Sequence, residues 1–228
     1  WTNKQKEDDK RFIFFFFSRR RRQTRWTDVT GVQTCALPIL MDRGHSRAVL
    51  AGGADEFFDF AVLEERKSPF PADTISSGSC FFMLETEEDA RERKARIYAR
   101  CSFLPPGKLD ESTIEEYSEE VKSSLAGGKS PDLALFTGPI DDRTEMLARS
   151  FLARIFPTPV PEIFYGSYPS RPTQGAERFL ESLVMLESQS VPLQLKKDAG
   201  IDHPSGILLV CLTGSRQCRL FYLQQGEQ

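Results

Sequence analysis

Short apolar runs of strand length alternate with helical segments along most of the chain, and this alternation is the feature that most constrains its fold. The predicted strands are 47–51, 81–84, 96–103, 133–136, 162–165, 206–212 and 218–223. The predicted helices are 87–94, 112–125, 142–155 and one that ends near residue 188. Runs that are apolar throughout are typical of strands buried on both faces, so the sequence predicts a layered α/β domain.

Two of these helices carry signals for their ends or their buried faces. Ser112 and Glu115 have capping-box spacing, which predicts that a helix begins there, and Gly127 and Gly128 are predicted to end it. The predicted buried face of the last helix consists of four apolar residues, Phe179, Leu180, Leu183 and Val184. Apolar residues three and four positions apart share one side of a helix, so this face is expected to contact the sheet.

Charge is unevenly distributed along the chain. Nine of the 30 Lys and Arg residues and four of the 33 Asp and Glu residues lie within residues 1–39, so residues 40–228 carry a net charge of −8. A net negative charge on residues 40–228 is unfavourable for general binding to nucleic acid, whose phosphates are also negatively charged. No apolar run reaches the roughly 18–20 residues of a membrane span. No pattern of a secretory signal is visible either, so a cytoplasmic location is predicted.

The five cysteines follow no pattern of metal binding or disulfide pairing. Cys35, Cys80, Cys101, Cys211 and Cys218 show no CxxC spacing and no paired histidine, and four of them lie in or beside apolar runs. Small buried thiols are common in protein cores. We therefore predict free, buried thiols in a reducing compartment, with no metal and no cofactor.

The first 39 residues follow neither a helical nor a strand period. An apolar run at 12–17 is followed by an arginine cluster, and Val29–Ile39 is similar to the conceptual translation of a short-read sequencing adapter. Residues 1–39 are therefore predicted to be foreign, disordered sequence that takes no part in the fold. The functional alternative is a basic arm that binds nucleic acid or a membrane. On the first interpretation, the native sequence begins near Leu40.

Three segments, in order along the chain, resemble the β-ketoacyl synthase family. Gly44, followed by AGGAD at 51–55, is similar to the glycine-rich strand that comes after that family's nucleophile helix. Residues 78–98, beginning GSCFFMLE, resemble a longer block of the family and carry most of the likeness. Two further segments show weaker similarity. One is Asp142-x-x-Glu145, and the other is the helix that follows Gly175 and leads to Val191-Pro192.

This resemblance implies a partial thiolase-like fold, layered α/β/α/β/α, from which most of the N-terminal half is missing. Residues 40–104 would be the end of the first half and residues 105–228 the second half, with a boundary at the chain-breaking Pro105-Pro106-Gly107. Members of the family condense an acyl group, held on a cysteine, with a malonyl group carried by an acyl carrier protein. The resemblance implies a thiolate nucleophile, two histidines and an oxyanion hole for that reaction.

Other residue types occupy the positions that the resemblance assigns to these catalytic groups. The nucleophile position falls on Thr27, and Cys35, eight residues away, lacks the small neighbours of a nucleophile turn. The first histidine position falls near Ala134, within an apolar strand. The second falls on Pro169 or Pro172, and proline can take neither role.

The remaining family features are also altered. His45 and His203 are the chain's two histidines, and neither occupies a family position. The glycine-rich loop that joins the family's last two strands is reduced to residues 213–218, with one glycine and with Arg216, whose bulk would crowd the acyl site. We therefore predict no catalytic, cofactor-binding or metal-binding residues in this chain.

The sequence thus predicts a truncated, non-catalytic β-ketoacyl synthase-like protein of fatty-acid or polyketide-type biosynthesis. It would resemble a chain length factor, with an active ketosynthase as its heterodimer partner and an acyl carrier protein as a further partner. One alternative is an acyltransferase whose nucleophile lies upstream, or which uses another site, with Asp142, Glu145, Tyr165 or Arg171 as candidates. Carboxylates at the start of a helix are also stabilising through their interaction with the helix dipole, without any catalytic role. A stand-alone interaction protein is the third alternative.

Overall fold

Helices and strands alternate in the structure largely as the sequence predicts. The computed structural model describes residues 12–16, 47–55, 78–125, 129–165, 174–193, 195, 200–213 and 215–226. Its strands are β1 Phe12–Phe16, β2 Ala48–Asp55, β3 Gly78–Thr86, β4 Ala99–Phe103, β5 Gly107–Lys108, β6 Leu133–Thr137, β7 Glu162–Tyr165, β8 Gly206–Leu212 and β9 Gln217–Gln225. Its helices are α1 Glu87–Glu92, α2 Ile114–Ser124, α3 Asp142–Ile155 and α4 Gln174–Ser188.

The described strands form one mixed sheet in the order β2-β3-β1-β4-β9-β8-β6-β7, with the short β5 paired to β9. β6 runs parallel to β7 and to β8, so Leu135 lies opposite Ile163 on one side and Leu209 on the other. The other neighbouring strands are antiparallel. Parallel neighbours need crossover connections, which α3 and α4 supply.

Side chains of the central strands alternate between two apolar cores, one on each face of the sheet. In β8, Ile207 and Leu209 pack with α4, whereas Leu208 and Val210 pack with α2 and α3. All four are fully buried. We call these two sides the α4 face and the α3 face. Burial on both faces explains why the sequence of β8 is apolar throughout.

α3 shows how local sequence fixes a helix. The Thr144 backbone N–H donates a 2.7 Å hydrogen bond to Asp141 Oδ1, which caps the helix start. Leu147 and Phe151 lie on the side that contacts the sheet and are buried. Phe156 comes directly before a proline and is extended, because proline excludes the helical conformation from the residue before it.

Two details of the helix predictions are wrong. α2 begins at Ile114 without a side-chain cap, because Ser112 Oγ instead donates to Asp110 Oδ1 at 2.8 Å. In α4, Val184 is 52% exposed and Met185 is buried. Adjacent helical residues are turned by about 100°, so the residue after the buried Leu183 can point away from the sheet.

The expected disorder of residues 1–39 does not extend to Phe12–Phe16. This segment is β1, which pairs antiparallel with β3 from Phe12↔Thr86 to Phe16↔Phe82 and also contacts β4. A run of apolar residues with high strand propensity can satisfy its backbone groups between two other strands. The adapter origin of residues 1–39 stays a prediction.

The predicted α/β class is confirmed, and the arrangement of its two parts is a further finding. β4 pairs with β9 from Ala99↔Gln225 to Phe103↔Phe221, which joins strands from both sides of the predicted boundary at Pro105. The described strands form one continuous sheet. The sequence also predicts the end of a helix at 40–44 and mostly loop at 55–77. Residue 55 is the last residue of β2, whereas residues 40–44 and 56–77, and the helix-ending Gly127 and Gly128, lie outside the described residues.

β2 lies at one end of the described sheet and β7 at the other. β2 pairs with β3 over all eight of its residues. Ala51 and Phe82 belong to the core on the α4 face, so their strand neighbours Leu50 and Phe81 point to the opposite side. Leu50 is 59% exposed and Phe81 is 39% exposed. This end of the sheet therefore presents an apolar surface.

Candidate functional site

Three polar side chains meet where the parallel strands end. In register, Thr137 of β6 lies opposite Tyr165 of β7 on one side and Cys211 of β8 on the other. Strand alternation places all three on the α4 face, since Leu135, Ile163 and Leu209 precede them by two positions on that face. We call Thr137, Tyr165 and Cys211, with Arg178 of α4, the strand-end cluster.

The topology makes this edge a natural ligand site. The chain leaves β6 through α3 to reach β7, and then returns through α4 to β8 on the other side of β6. In open α/β sheets, ligands bind outside the carboxyl ends of the strands where such connections diverge. The strand-end cluster lies at this position.

Gly138 allows β6 to stop directly after Thr137. Its φ of +119° lies in a region that side-chain-bearing residues rarely adopt. A Cβ atom added there would collide with the Leu212 backbone oxygen in the neighbouring strand. The resulting turn leaves Thr137 as the last strand residue, with its side chain on the α4 face and only 2% exposed.

The beginning of α4 covers the cluster. The Arg178 guanidinium carbon lies 3.9 Å from the centre of the Tyr165 ring, and Arg178 Nη1 donates to Glu181 Oε2 at 2.6 Å. A Cβ atom on Gly175 would be 3.6 Å from Cys211 Sγ, which is ordinary contact distance. Cys80 Sγ of β3 contacts the Ala176 carbonyl oxygen at 3.6 Å.

Polar groups in this cluster are left without partners. Within the described part of the chain, three buried side-chain atoms make no hydrogen bond: Thr137 Oγ1, Tyr165 Oη and Arg178 Nε. The Tyr165 hydroxyl lies near Glu181 and Arg178 without a well-formed hydrogen bond to either. Since buried polar groups are usually paired, three unpaired groups in one cluster call for an explanation.

Burial keeps the acidic groups of the cluster neutral. It raises the pKa of the Cys211 thiol to about 12. Burial, and after it the negative charge of Glu181, also raises the pKa of the Tyr165 phenol. The nearby Cys80 has its pKa raised to about 11, by burial and by the charge of Glu177. At neutral pH the cluster therefore offers hydroxyl and thiol groups, without a thiolate nucleophile.

These raised pKa values predict a loss of stability at alkaline pH. In the unfolded chain, Cys80, Cys211 and Cys218 ionise near 9.0, whereas in the folded chain they ionise near 11 to 12. The unfolded state loses its protons first as the pH rises. The free energy of unfolding should therefore fall steadily above about pH 9.

Urea unfolding at a series of pH values from neutral to alkaline measures this effect. The control replaces Cys80, Cys211 and Cys218 with alanine, which should reduce the alkaline decline. An unchanged or rising free energy of unfolding above about pH 9 in the unaltered chain would contradict the prediction.

The carboxylates that the sequence offered as candidates lie elsewhere. Asp142 is exposed at the start of α3, and Glu145 Oε1 accepts a 2.7 Å hydrogen bond from Arg149. Both belong to the helix on the α3 face, so the structure does not bring them together with Tyr165 on the α4 face. Arg171 lies outside the described residues.

The family's expected positions can be located only in part. Ala134 is fully buried in the core of the α3 face. His203 is exposed, and its Nδ1 lies 2.6 Å from the Gln189 carbonyl oxygen in a loop. The expected positions Thr27, Pro169 and Pro172 lie outside the described residues, as do Cys35 and His45.

Arg216 does not crowd the strand-end cluster. Its side chain extends toward the start of α3, where Nε donates to Thr144 Oγ1 at 3.2 Å and Nη2 lies 3.8 Å from Asp141 Oδ2. These contacts place the guanidinium on the α3 face, where Thr144 is buried. Arg216 thus connects the β8–β9 turn to α3 through these side-chain contacts.

The sequence patterns did not indicate Thr137, Cys211 or Arg178 as candidate site residues. A signal was present, because Thr137, Tyr165 and Cys211 each follow several apolar residues of a predicted strand. Their proximity depends on strand order, which the sequence pattern does not give. In the described part of the chain, no group of three side chains could hold a metal ion, and no helix is long and apolar enough to cross a membrane.

Comparison with known proteins gives matches at the level of structure. No protein-family model and no curated protein matches the sequence significantly. The ishigamide ketosynthase/chain length factor matches with a TM-score of 0.60 and 13% identity, over 83% of this chain and 57% of that one. A β-ketoacyl synthase from Burkholderia phymatum matches with a TM-score of 0.56 and 17% identity, over 83% and 57%.

A third similar structure is a type II PKS acyl carrier protein in complex with its ketosynthase bound to the hexaketide. It matches with a TM-score of 0.58 and 13% identity, over 82% of this chain and 53% of that one. The chain thus spans a little over half the length of each of these structures. It has a mixed sheet flanked by helices, in the thiolase-like α/β fold of the ketosynthases.

Proposed function

We propose that this chain is part of a non-catalytic β-ketoacyl synthase-like protein that acts as a chain-length-factor-like partner of an active ketosynthase. The observation that carries the proposal is the chemistry of the strand-end cluster. It contains neutral hydroxyl and thiol groups and an ion-paired arginine, Arg178. Hydroxyl groups without a neighbouring base are weak nucleophiles, so this arrangement favours binding over acyl transfer.

The fold supports the same proposal. One of the similar structures is a ketosynthase/chain length factor, and another is a ketosynthase in complex with an acyl carrier protein. For the whole protein we propose corresponding partners, an active ketosynthase and an acyl carrier protein, in cytoplasmic fatty-acid or polyketide-type biosynthesis. The acyltransferase alternative requires a nucleophile, either upstream in the protein or at another site of this chain.

The end of the sheet at β2 offers a surface for the ketosynthase partner. An edge strand presents backbone donors and acceptors that a strand of another chain can pair with. Leu50 and Phe81 add exposed apolar area beside this edge. We therefore propose that the partner ketosynthase covers β2 and these two side chains.

Co-expression with a type II ketosynthase tests the partnership. We expect the two full chains to elute together in size-exclusion chromatography, and Leu50→Lys to weaken their association by about 10- to 100-fold, because a buried unpaired ammonium is costly. Leu193→Lys is the matched control, since Leu193 is 79% exposed and follows α4, far along the chain from β2. Separate elution of the unaltered chains, or equal weakening by both variants, would contradict the proposal.

A further inference from the structure

β1 fills a gap between two strands that other contacts already hold in place. In the order of the described sheet, β1 lies between β3 and β4 and is antiparallel to both. At the usual spacing of strands, β3 and β4 are therefore about 9.5 Å apart. β1 pairs with β3 over all five of its residues, and with β4 at Phe12 and Ile13. We call the gap between β3 and β4 the strand slot.

On the face opposite α4, two ion pairs of α1 connect the walls of the strand slot. Arg93, at the end of α1, donates from Nε and Nη2 to the carboxylate of Glu85 in β3 at 2.8 and 2.6 Å. Arg100 in β4 donates from Nε and Nη2 to Glu87, the first residue of α1, at 3.2 and 2.8 Å. Arginine–carboxylate pairs with two hydrogen bonds fix orientation as well as distance. The helix thus sets the separation of β3 and β4.

On the α4 face, four aromatic rings connect the same two walls. Phe82 of β3 stacks on Phe179 of α4, with the ring centres 4.6 Å apart. Phe179 meets the ring of Phe221 in β9 edge-on at 5.6 Å, and Phe221 meets Phe103 of β4 at 5.4 Å. The contacts on both faces come from residues after position 78. The strand slot is therefore built independently of β1 and of the origin of residues 1–39.

We propose that the strand slot is a strand-acceptor site, in which residues 12–16 of a second copy of this chain bind in place of the chain's own β1. An extended segment in the slot satisfies its own backbone groups and those of both walls, so backbone pairing supplies the affinity. Because the walls are already fixed, little ordering of the acceptor opposes binding.

The chain's own sequence makes a second copy the natural donor. Every copy carries the same strand, and exchange of an identical element is a low-cost route to a dimer. Residues 17–47 join β1 to β2, and a segment of this length spans up to about 100 Å when fully extended. That reach is enough to deliver β1 to the strand slot of a neighbouring copy.

A labelled peptide of residues 10–20 represents the strand of the second copy. Its apolar run is flanked by Lys and Arg residues, which favour solubility. The acceptor is the full chain with Ile13→Pro, because residue 13 pairs with both walls and proline is excluded from the interior of a sheet. Ile13→Val is the matched control, since valine keeps the strand preference and leaves the slot filled.

Fluorescence anisotropy measures binding of the peptide to both full-length variants. We expect Ile13→Pro to bind it at least about 10-fold more tightly than Ile13→Val, because a slot that is already filled lowers the apparent affinity. The same peptide with proline at position 13 should bind Ile13→Pro at least about 10-fold more weakly. Equal binding by the two variants, or equal binding of the two peptides, would overturn the proposal.

Circular dichroism covers the case in which Ile13→Pro unfolds the chain. The unaltered peptide should then restore the signal of the folded protein, because a ligand that binds only the folded state stabilises it. A peptide that neither binds Ile13→Pro nor refolds it would also contradict a strand-acceptor site.

Refolding the unaltered full chain from urea tests the second copy as donor. Size-exclusion chromatography should show monomer after refolding at about 1 µM and a dimer after refolding at about 100 µM, since strand exchange rises with concentration. Ile13→Pro should lose this dimer. Leu50→Lys should keep it, because Leu50 lies in β2 outside the strand slot. Monomer alone at both concentrations, a dimer that persists in Ile13→Pro, or one that is lost in Leu50→Lys would refute the exchange. These results do not depend on the proposed ketosynthase partnership.

Discussion

Replacing Phe151 with alanine is expected to lower the free energy of unfolding by about 3–5 kcal/mol. Phe151 is fully buried on the α3 face. Its ring stacks on Tyr117 of α2, with the ring centres 5.2 Å apart and an interplanar angle of 17°. Removing the ring leaves a cavity between α2, α3 and the sheet, because packed helices close such a gap only in part.

Met146 provides the matched control on the same helix. It is 57% exposed, so Met146→Ala should change stability by less than about 0.5 kcal/mol. Equilibrium urea unfolding, followed by circular dichroism, measures both variants. If Phe151→Ala cost no more than Met146→Ala, α3 would not be packed on the sheet as described.

Gly138→Ala is expected to cost at least about 2 kcal/mol. The residue would be held at a φ of +119°, and its new methyl group would collide with the Leu212 backbone oxygen of β8. Relief of that collision requires β6 and β8 to separate just where Thr137 and Cys211 lie side by side. The variant should therefore also disturb the strand-end cluster.

Gly200→Ala separates backbone strain from collision. Gly200 has a φ of +64°, and no atom of the described residues lies within 4 Å of a Cβ atom added there. Its replacement should cost only about 1 kcal/mol, the price of the left-handed conformation alone. Urea unfolding of the two variants under identical conditions gives the comparison. Equal losses would mean that contact with Leu212 contributes nothing.

Much of the secondary structure could be predicted because it depends on nearby residues. The bounds 142–155 for α3, 162–165 for β7 and 206–212 for β8 agree with the structure at both ends. In α3, the cap residue Asp141 and the proline after Phe156 are local signals. In β8, the apolar run reports burial on both faces. Such signals act within a few residues, so a single sequence contains them.

Errors arose where two local signals competed. Ser112 has the spacing of a cap, but Asp110 two residues earlier binds both its backbone N–H and its hydroxyl. A carboxylate that accepts two hydrogen bonds outweighs a weak capping preference. Val184 belongs to an apolar sequence in α4, yet its angular position around the helix makes it 52% exposed. Composition alone does not distinguish these outcomes.

The strand-end cluster could not be predicted, because its members are brought together only by strand order. Thr137 and Cys211 are more than 70 residues apart in sequence and are neighbours because β8 returns to the other side of β6. Arg178 reaches Tyr165 only through the placement of α4 over that edge. The resemblance to ketosynthases implied two histidines but gave no hint of a hydroxyl cluster.

The position of β9 has a consequence for synthesis on the ribosome. β9 follows every other described strand in the sequence, yet it lies between β4 and β8 in the middle of the sheet. Strands β1–β4 and β6–β8 cannot join until β9 has left the exit tunnel, so two incomplete sheets with open edges must persist during translation. Such edges pair readily with other nascent chains. We expect this chain to depend on chaperones that bind before synthesis is complete.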